Sequence, residues 1–140
     1  MTPVQLPYVM AFLPCDMIWQ DPGTSKLYIL GAFRQIQADG FPLHHAGFHV
    51  FVALSDGRGR NRMKVRLVSM DEEDIIFQRD FDADFDDPLE VMEFSVSSRE
   101  LVIPVPQPYR LQLLANGELL MERRITVLGN DDGTEHETTT

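Results

Sequence analysis

Apolar residues in this chain nowhere hold the i, i+3, i+4, i+7 spacing of an amphipathic helix through three turns. They fall instead into short β-rich runs divided by turn residues. Nine runs read as strands: 8–14, 26–37, 48–54, 62–68, 74–81, 89–96, 100–105, 109–115 and 119–127. That spacing predicts an all-β, single-domain antiparallel β-sandwich or barrel of about eight or nine strands. FHVFVAL, at 48–54, is apolar at nearly every position and reads as a strand buried on both faces. Gly31, inside the second run, predicts a bulge or a close backbone approach, and DPGTSK at 21–26 predicts a turn. From Gly129 onward GNDDGTEHETTT offers no hydrophobic anchor, so the domain is placed at 1–128 and a disordered acidic tail at 129–140.

Because side chains alternate with period two, the pattern also speaks to register. At the last hairpin, Asn116-Gly117 suggests a two-residue turn, but that pairing sets Leu111 beside Glu122 and mixes the two faces. A three-residue loop, Ala115-Asn116-Gly117, instead sets Leu113 beside Leu119, Leu111 beside Met121 and Arg110 beside Glu122. It keeps one face apolar, and it is the expected form.

Charge follows the same alternation. Asp80, Asp82, Asp84 and Asp86 alternate with Phe81, Ala83 and Phe85, while Arg60, Arg62, Lys64 and Arg66 fall on one face and Met63, Val65 and Leu67 on the other. Extended, each stretch shows one charged and one largely apolar face. A hairpin through residues 71–73 sets Arg66 beside Gln78, Lys64 beside Asp80 and Arg62 beside Asp82. Each opposite-charge pair contributes about 0.2–1 kcal/mol and penalises a one-residue slip. These eight charged residues form a predicted ladder and a candidate interaction face.

Metal chemistry is the alternative use of the aspartates. Counted from Asp82, the residues Asp84, Asp86 and Glu93 occupy ligand positions of a calcium-binding EF-hand loop. The glycine that makes that loop's sharp turn is replaced by Asp87, Pro88 follows, and both flanks read as strands. Calcium on Asp82, Asp84, Asp86 and Glu93 therefore stands as an alternative to the ladder. In HHAGFH, His45 and His49 share one face of an extended segment and His44 takes the other. No third ligand lies at zinc spacing, so these read as histidines of a loop-to-strand junction.

Catalytic signatures are scarce. There is no G-x-S-x-G elbow, no phosphate-cradling glycine loop and no H-E-x-x-H helix. Cys15 reads as a small buried residue, and Trp19, Tyr28 and the phenylalanines read as core. A small hydrolase or carbohydrate-binding barrel using Trp19 and the acids requires a deep pocket with converging polar groups.

Composition narrows the partners. Among 140 residues, 12 Lys and Arg stand against 22 Asp and Glu, a formal net charge of −10. That opposes binding to nucleic acid and to anionic membranes. One cysteine makes no internal disulfide, no apolar run approaches the roughly 18 residues of a membrane helix, and the proline-broken start lacks a basic leader. A soluble cytoplasmic protein without a cofactor is expected.

One resemblance spans most of residues 8–128. CDMIWQDPGTSKLYILGAFRQI, GFPLHHAGFHVFVAL, the DGRG turn, VRLV and PYRLQLLANGELLMERRITV together resemble a family of small bacterial proteins of unassigned function. The resemblance implies an immunoglobulin-like sandwich and brings no catalytic residues with it. The leading expectation is a non-enzymatic binding or accessory module that contacts an unidentified protein through sheet edges or the charged face. The edge ELVIPVPQP, with Pro104, Pro106 and Pro108, reads as blocked against strand addition. A calcium- or headgroup-binding module on the 80–93 stretch is the first alternative, and the hydrolase or carbohydrate-binding barrel the second.

Overall fold

A computed structural model of the chain describes residues 3–130. Its strands are β1 (Tyr8–Gln20), β2 (Leu27–Ala32), β3 (Gln35–Ala38), β4 (Leu43–Ser55), β5 (Gly59–Ser69), β6 (Ile75–Phe85), β7 (Met92–Ile103), β8 (Pro108–Ala115) and β9 (Glu118–Gly129). They form two sheets, β2-β1-β4-β7 and β3-β9-β8-β5-β6. Phe12, Val50 and Val52 of the first share one core with Val65, Leu67, Leu111 and Leu113 of the second. Phe48 meets Phe77 across that core with ring centroids 5.6 Å apart. Val50 to Ser55 of β4 are buried without interruption, as the continuous apolar run predicts. Among the described residues no helix is long and apolar enough to cross a membrane.

The strand count agrees with the sequence pattern only because two errors compensate. The run 26–37 is two strands in different sheets, and runs 89–96 and 100–105 are the single strand β7. Phe33 and Arg34 make the crossing between sheets. The Phe33 N–H donates to the Pro14 carbonyl at 3.1 Å, while the Arg34 carbonyl accepts from the Thr126 N–H at 3.0 Å, so adjacent residues are tied to opposite layers. The crossing delivers β3 parallel to β9, which corrects the purely antiparallel expectation. Gly31 shows close approach rather than a bulge: a Cβ there would stand 2.3 Å from Asp16 Oδ2. Gly129, expected in the tail, closes β9. Residues 131–140, the rest of the expected tail, lie outside the described residues.

Local devices override strict alternation at several points: β1–β4 shifts register between Val9 and Ala11, and β5–β6 shifts after Leu67, where Val68 pairs with Ile75 and replaces the expected 71–73 loop. In the last hairpin the turn is the two-residue Asn116-Gly117, both left-handed with φ of 52° and 85°. Leu114 pairs with Leu119 and Leu113 with Met121, so Leu120 is an extra, unpaired residue in β9. The parity conflict that seemed to demand a three-residue loop is thus resolved inside the strand. In β4 the inward positions are Leu43 and His45 before Gly47, but Phe48 and Val50 after it; β7 makes the matching change between Ser98 and Leu101. The two strands keep one register from Leu43↔Ile103 to Leu54↔Met92, with only Gly47 and Arg99 skipped. Gly47, with φ 74°, lets both strands turn over together.

The expected proline block on β7 is displaced as well. Pro104 and Pro106 follow the end of that strand and Pro108 opens β8, so they bound the edge instead of lining it. Just beyond them, the buried Tyr109 hydroxyl donates to the Val105 carbonyl at 2.7 Å and pins the corner into β8. Burial pushes this phenol up from its ordinary value. Tyr109→Phe keeps the ring and strips the Val105 carbonyl of its donor. It should lower unfolding stability by about 1–2 kcal/mol in urea titration, and an unchanged midpoint would show the corner bond contributes nothing.

Candidate functional site

Two surfaces carry chemistry, and the outer face of the five-stranded sheet is the first. Here β5 and β6 pair Arg60 with Asp84, Arg62 with Asp82, Lys64 with Asp80 and Arg66 with Gln78. Met63, Val65 and Leu67 point the other way and are buried, as are Ala83 and Phe85. Arg60 Nη2 lies 3.7 Å from Asp84 Oδ2 and Lys64 Nζ lies 4.0 Å from Asp80 Oδ1. Arg62 and Asp82, though opposite, do not close to an ion pair. Asp86 falls beyond the end of β6 in an exposed bend, outside the ladder. All these pairs are solvent-exposed, so each is weak.

Arg66 turns instead toward β8. Its Nε donates to Gln112 Oε1 at 2.7 Å and its Nη2 to Glu72 Oε1 at 3.2 Å. Gln112 Nε2 donates to Glu72 Oε1 at 2.9 Å and to Glu122 Oε1 at 3.1 Å. Arg110 Nη1 donates to both Glu122 oxygens, at 2.9 and 3.0 Å, and its Nε donates to the Met70 carbonyl at 2.9 Å. Gln112 is only 2% exposed, yet both ends of its amide are satisfied. Hydrogen bonds donated by Arg110 hold the Glu122 carboxyl below its ordinary value, and Glu122 in turn raises the Arg110 guanidinium. The sequence reading missed this network because Glu72, which caps Gln112, comes from the β5–β6 turn in a left-handed conformation, with φ 64°.

A concavity of about 930 Å³ opens on this face, lined by Arg62, Lys64, Arg66, Asp80, Asp82 and Leu114 among others. Its lining presents charge of both signs. The calcium alternative fares no better geometrically. Asp82 and Asp84 are strand residues facing β5, Asp86 is in the bend and Glu93 is in β7. The flanks are strands where an EF-hand needs helices. Among the described residues no group of three or more His, Cys, Asp or Glu side chains converges to hold a metal.

The histidines also separate. His44 Nδ1 pairs with Glu100. His45 stands edge-on to Phe33, with centroids 6.3 Å apart. His49 lies opposite Cys15 on the other face, so His45 and His49 do not share a side; the exchange of faces at Gly47 divides them. Buried nitrogens of both, His45 Nε2 and His49 Nδ1, lack hydrogen-bond partners. Cys15 is fully buried, and burial raises its thiol pKa, the reverse of what a nucleophile needs.

The second surface is the hairpin of β1 and β2. The pairing of β1 with β4 ends at Cys15↔His49, and from Met17 to Gln20 the strand is paired only with β2. Met17 pairs with Leu30 and Trp19 with Tyr28, so all four side chains share one face. They are 52%, 48%, 48% and 46% exposed for Met17, Leu30, Trp19 and Tyr28. The Trp19 and Tyr28 rings touch at 5.2 Å between centroids. Reading these aromatics as core is therefore corrected: by strand alternation Met17 and Trp19 fall on the side of β1 away from the core residue Phe12, and none of the four belongs to the buried cluster.

An all-β domain of two sheets, with a self-neutralising charged face and one uncovered aromatic hairpin, is the class these features define. The chain belongs to a family of unknown function (DUF6941), whose model matches residues 10–128. No curated protein matches it.

The network and the ladder make separable predictions. Glu122 is depressed in the folded state, so its contribution is present above the ordinary carboxylate range and is lost as pH falls through the folded value. Glu122→Gln should therefore flatten the fall in stability between about pH 5 and pH 3; a slope identical to the unaltered protein would remove Glu122 from the account. On the ladder, reversing Arg62 and Lys64 to Glu should lower stability by roughly 0.5–1.5 kcal/mol, and reversing Asp80 and Asp82 to Lys in the same chain should restore most of it. Absence of recovery in that quadruple variant would show the strands are indifferent to the pairing.

Proposed function

We propose that this protein is a non-enzymatic, protein-binding module of immunoglobulin-like β-sandwich form, and that it docks through the outer face of the β1–β2 hairpin. The observation that carries the reading is the contiguous, half-exposed group Met17, Trp19, Tyr28 and Leu30 on an edge hairpin. Aromatic residues and methionine are enriched at interface cores, and contiguous apolar patches of this kind on soluble domains mark contact sites. The charged face is a weaker candidate, because the ion pairs Arg60–Asp84, Lys64–Asp80, Arg66–Glu72 and Arg110–Glu122 already consume eight of its charges.

Two features support the immunoglobulin-like form. A first strand (β1) is followed, after the inserted β2, by a short strand (β3) running parallel to the last (β9), and β4, β7 and β1 make up the opposing sheet. Tyr109, second residue of the penultimate strand, returns its hydroxyl to a carbonyl four residues back, as the tyrosine corner of such domains does. The free thiol of Cys15 suits a reducing cytoplasmic setting.

A photo-crosslinking residue placed at Tyr28 in cells of the native host should yield a discrete adduct that Trp19→Asp abolishes. The same group placed at Leu119, an exposed apolar position on β9, should not yield it. No adduct from position 28, or the same adducts from both positions, overturns the hairpin as the docking surface.

A further inference from the structure

We infer that the occupant of the hairpin is a second copy of this chain, joined edge to edge through β2. The inference rests on the docking reading above and names its partner.

The edges of the two sheets differ in how well they are protected. β3 is four residues long. β6 carries Arg79, Asp80, Asp82 and Asp84, and β7 carries Glu93, Arg99 and Glu100. The margins of β6 and β7 also meet, with Phe81 and Phe94 rings 4.6 Å apart. β2, LYILGA, has neither a charge nor a proline and is hydrogen-bonded on one side only. An uncharged edge of this length leaves a row of N–H and C=O groups for another strand.

The sequence of β2 is complementary to itself. Antiparallel pairing of two copies centred on Ile29 sets Tyr28 opposite Leu30 of the second copy, and Leu30 opposite its Tyr28, both on the exposed face. The row Trp19–Tyr28 then continues into Leu30–Met17 of the second copy, ring against aliphatic chain, and the two-fold axis repeats it. A one-residue slip would set the exposed Tyr28 and Leu30 against positions of the opposite face, so parity admits this register and excludes the odd slips beside it.

Side-by-side pairing buries the strand edge and the facing flanks of Tyr28 and Leu30, and charge does not oppose it. No charged residue lies within the patch, and at physiological salt the screening length of about 8 Å weakens repulsion between two chains of net charge −10.

Sedimentation equilibrium of the full chain from roughly 5 to 200 μM should show a reversible monomer–dimer system. Tyr28→Lys and Leu30→Lys should each weaken it about tenfold or more without changing the melting temperature, while Leu119→Lys leaves it unchanged. Amides 27–32 should gain protection from hydrogen exchange as concentration rises. A monomer across the whole range, or a dimer indifferent to both hairpin lysines, overturns the inference. A monomer that still yields a Tyr28 adduct with a different polypeptide overturns only the self-pairing and leaves the docking reading standing; a monomer without adducts removes both.

Discussion

Strand β5 is hydrogen-bonded on both flanks, and the registers of its neighbours all refer back to it. Three effects hold that register, and their sizes differ. Turning Met63, Val65 and Leu67 outward by a one-residue slip would forfeit about 1.5–3 kcal/mol per fully buried side chain. Stripping the buried Gln112 amide of Arg66, Glu72 and Glu122 would cost about 1–3 kcal/mol more. The exposed Arg60–Asp84 and Lys64–Asp80 pairs add about 0.2–1 kcal/mol each. The apolar alternation therefore sets the register, the buried amide makes it unique, and the charge ladder trims the remaining alternatives.

That ranking explains what could be read from the sequence. The β5–β6 pairing was legible because charge and apolarity alternate in phase on both strands; the turn beyond it differs from the expected 71–73 loop, since a register shift after Leu67 pairs Val68 with Ile75. The closing hairpin was misread because the same parity logic permits two solutions, a longer loop or an inserted residue. The left-handed Asn116 and Gly117 favour the tight turn, and β9 absorbs the mismatch at Leu120. A bulge leaves no mark in a binary pattern unless the turn is known first. The run 26–37 was misread for another reason. Phe33-Arg34 changes sheets without a proline or an interrupting turn, so the periodic signal runs straight through the crossing.

Site residues divide along the same line. Arg60, Lys64, Asp80 and Asp84 could be placed from parity alone, since they depend only on neighbours in one hairpin. Gln112 could not, because its burial requires Glu72 to fold back over it from a turn forty residues earlier in the chain. Trp19 and Tyr28 were invisible as surface residues for the converse reason: an aromatic run predicts burial, and only the structure shows which side of the hairpin faces the core. The paired histidines failed because one left-handed glycine, Gly47, reverses the faces of two strands at once without shifting their register.

The distribution of protection around the two sheets is uneven in a way the stability of one chain does not require. Charges line β6 and β7, brevity limits β3, and aromatic contact draws the β6 and β7 margins together. Each of these blunts strand addition. The β1–β2 hairpin departs from all of them: it is long, uncharged along its edge strand, and apolar on the side turned to solvent. A single lysine at Tyr28 or Leu30 would blunt it at little cost to the core, since neither side chain belongs to the buried cluster. The Trp19–Tyr28 ring contact accounts for part of that apolar row within one chain. On the docking proposal, contact with another polypeptide accounts for the rest, because rings and aliphatic chains gain free energy by being covered.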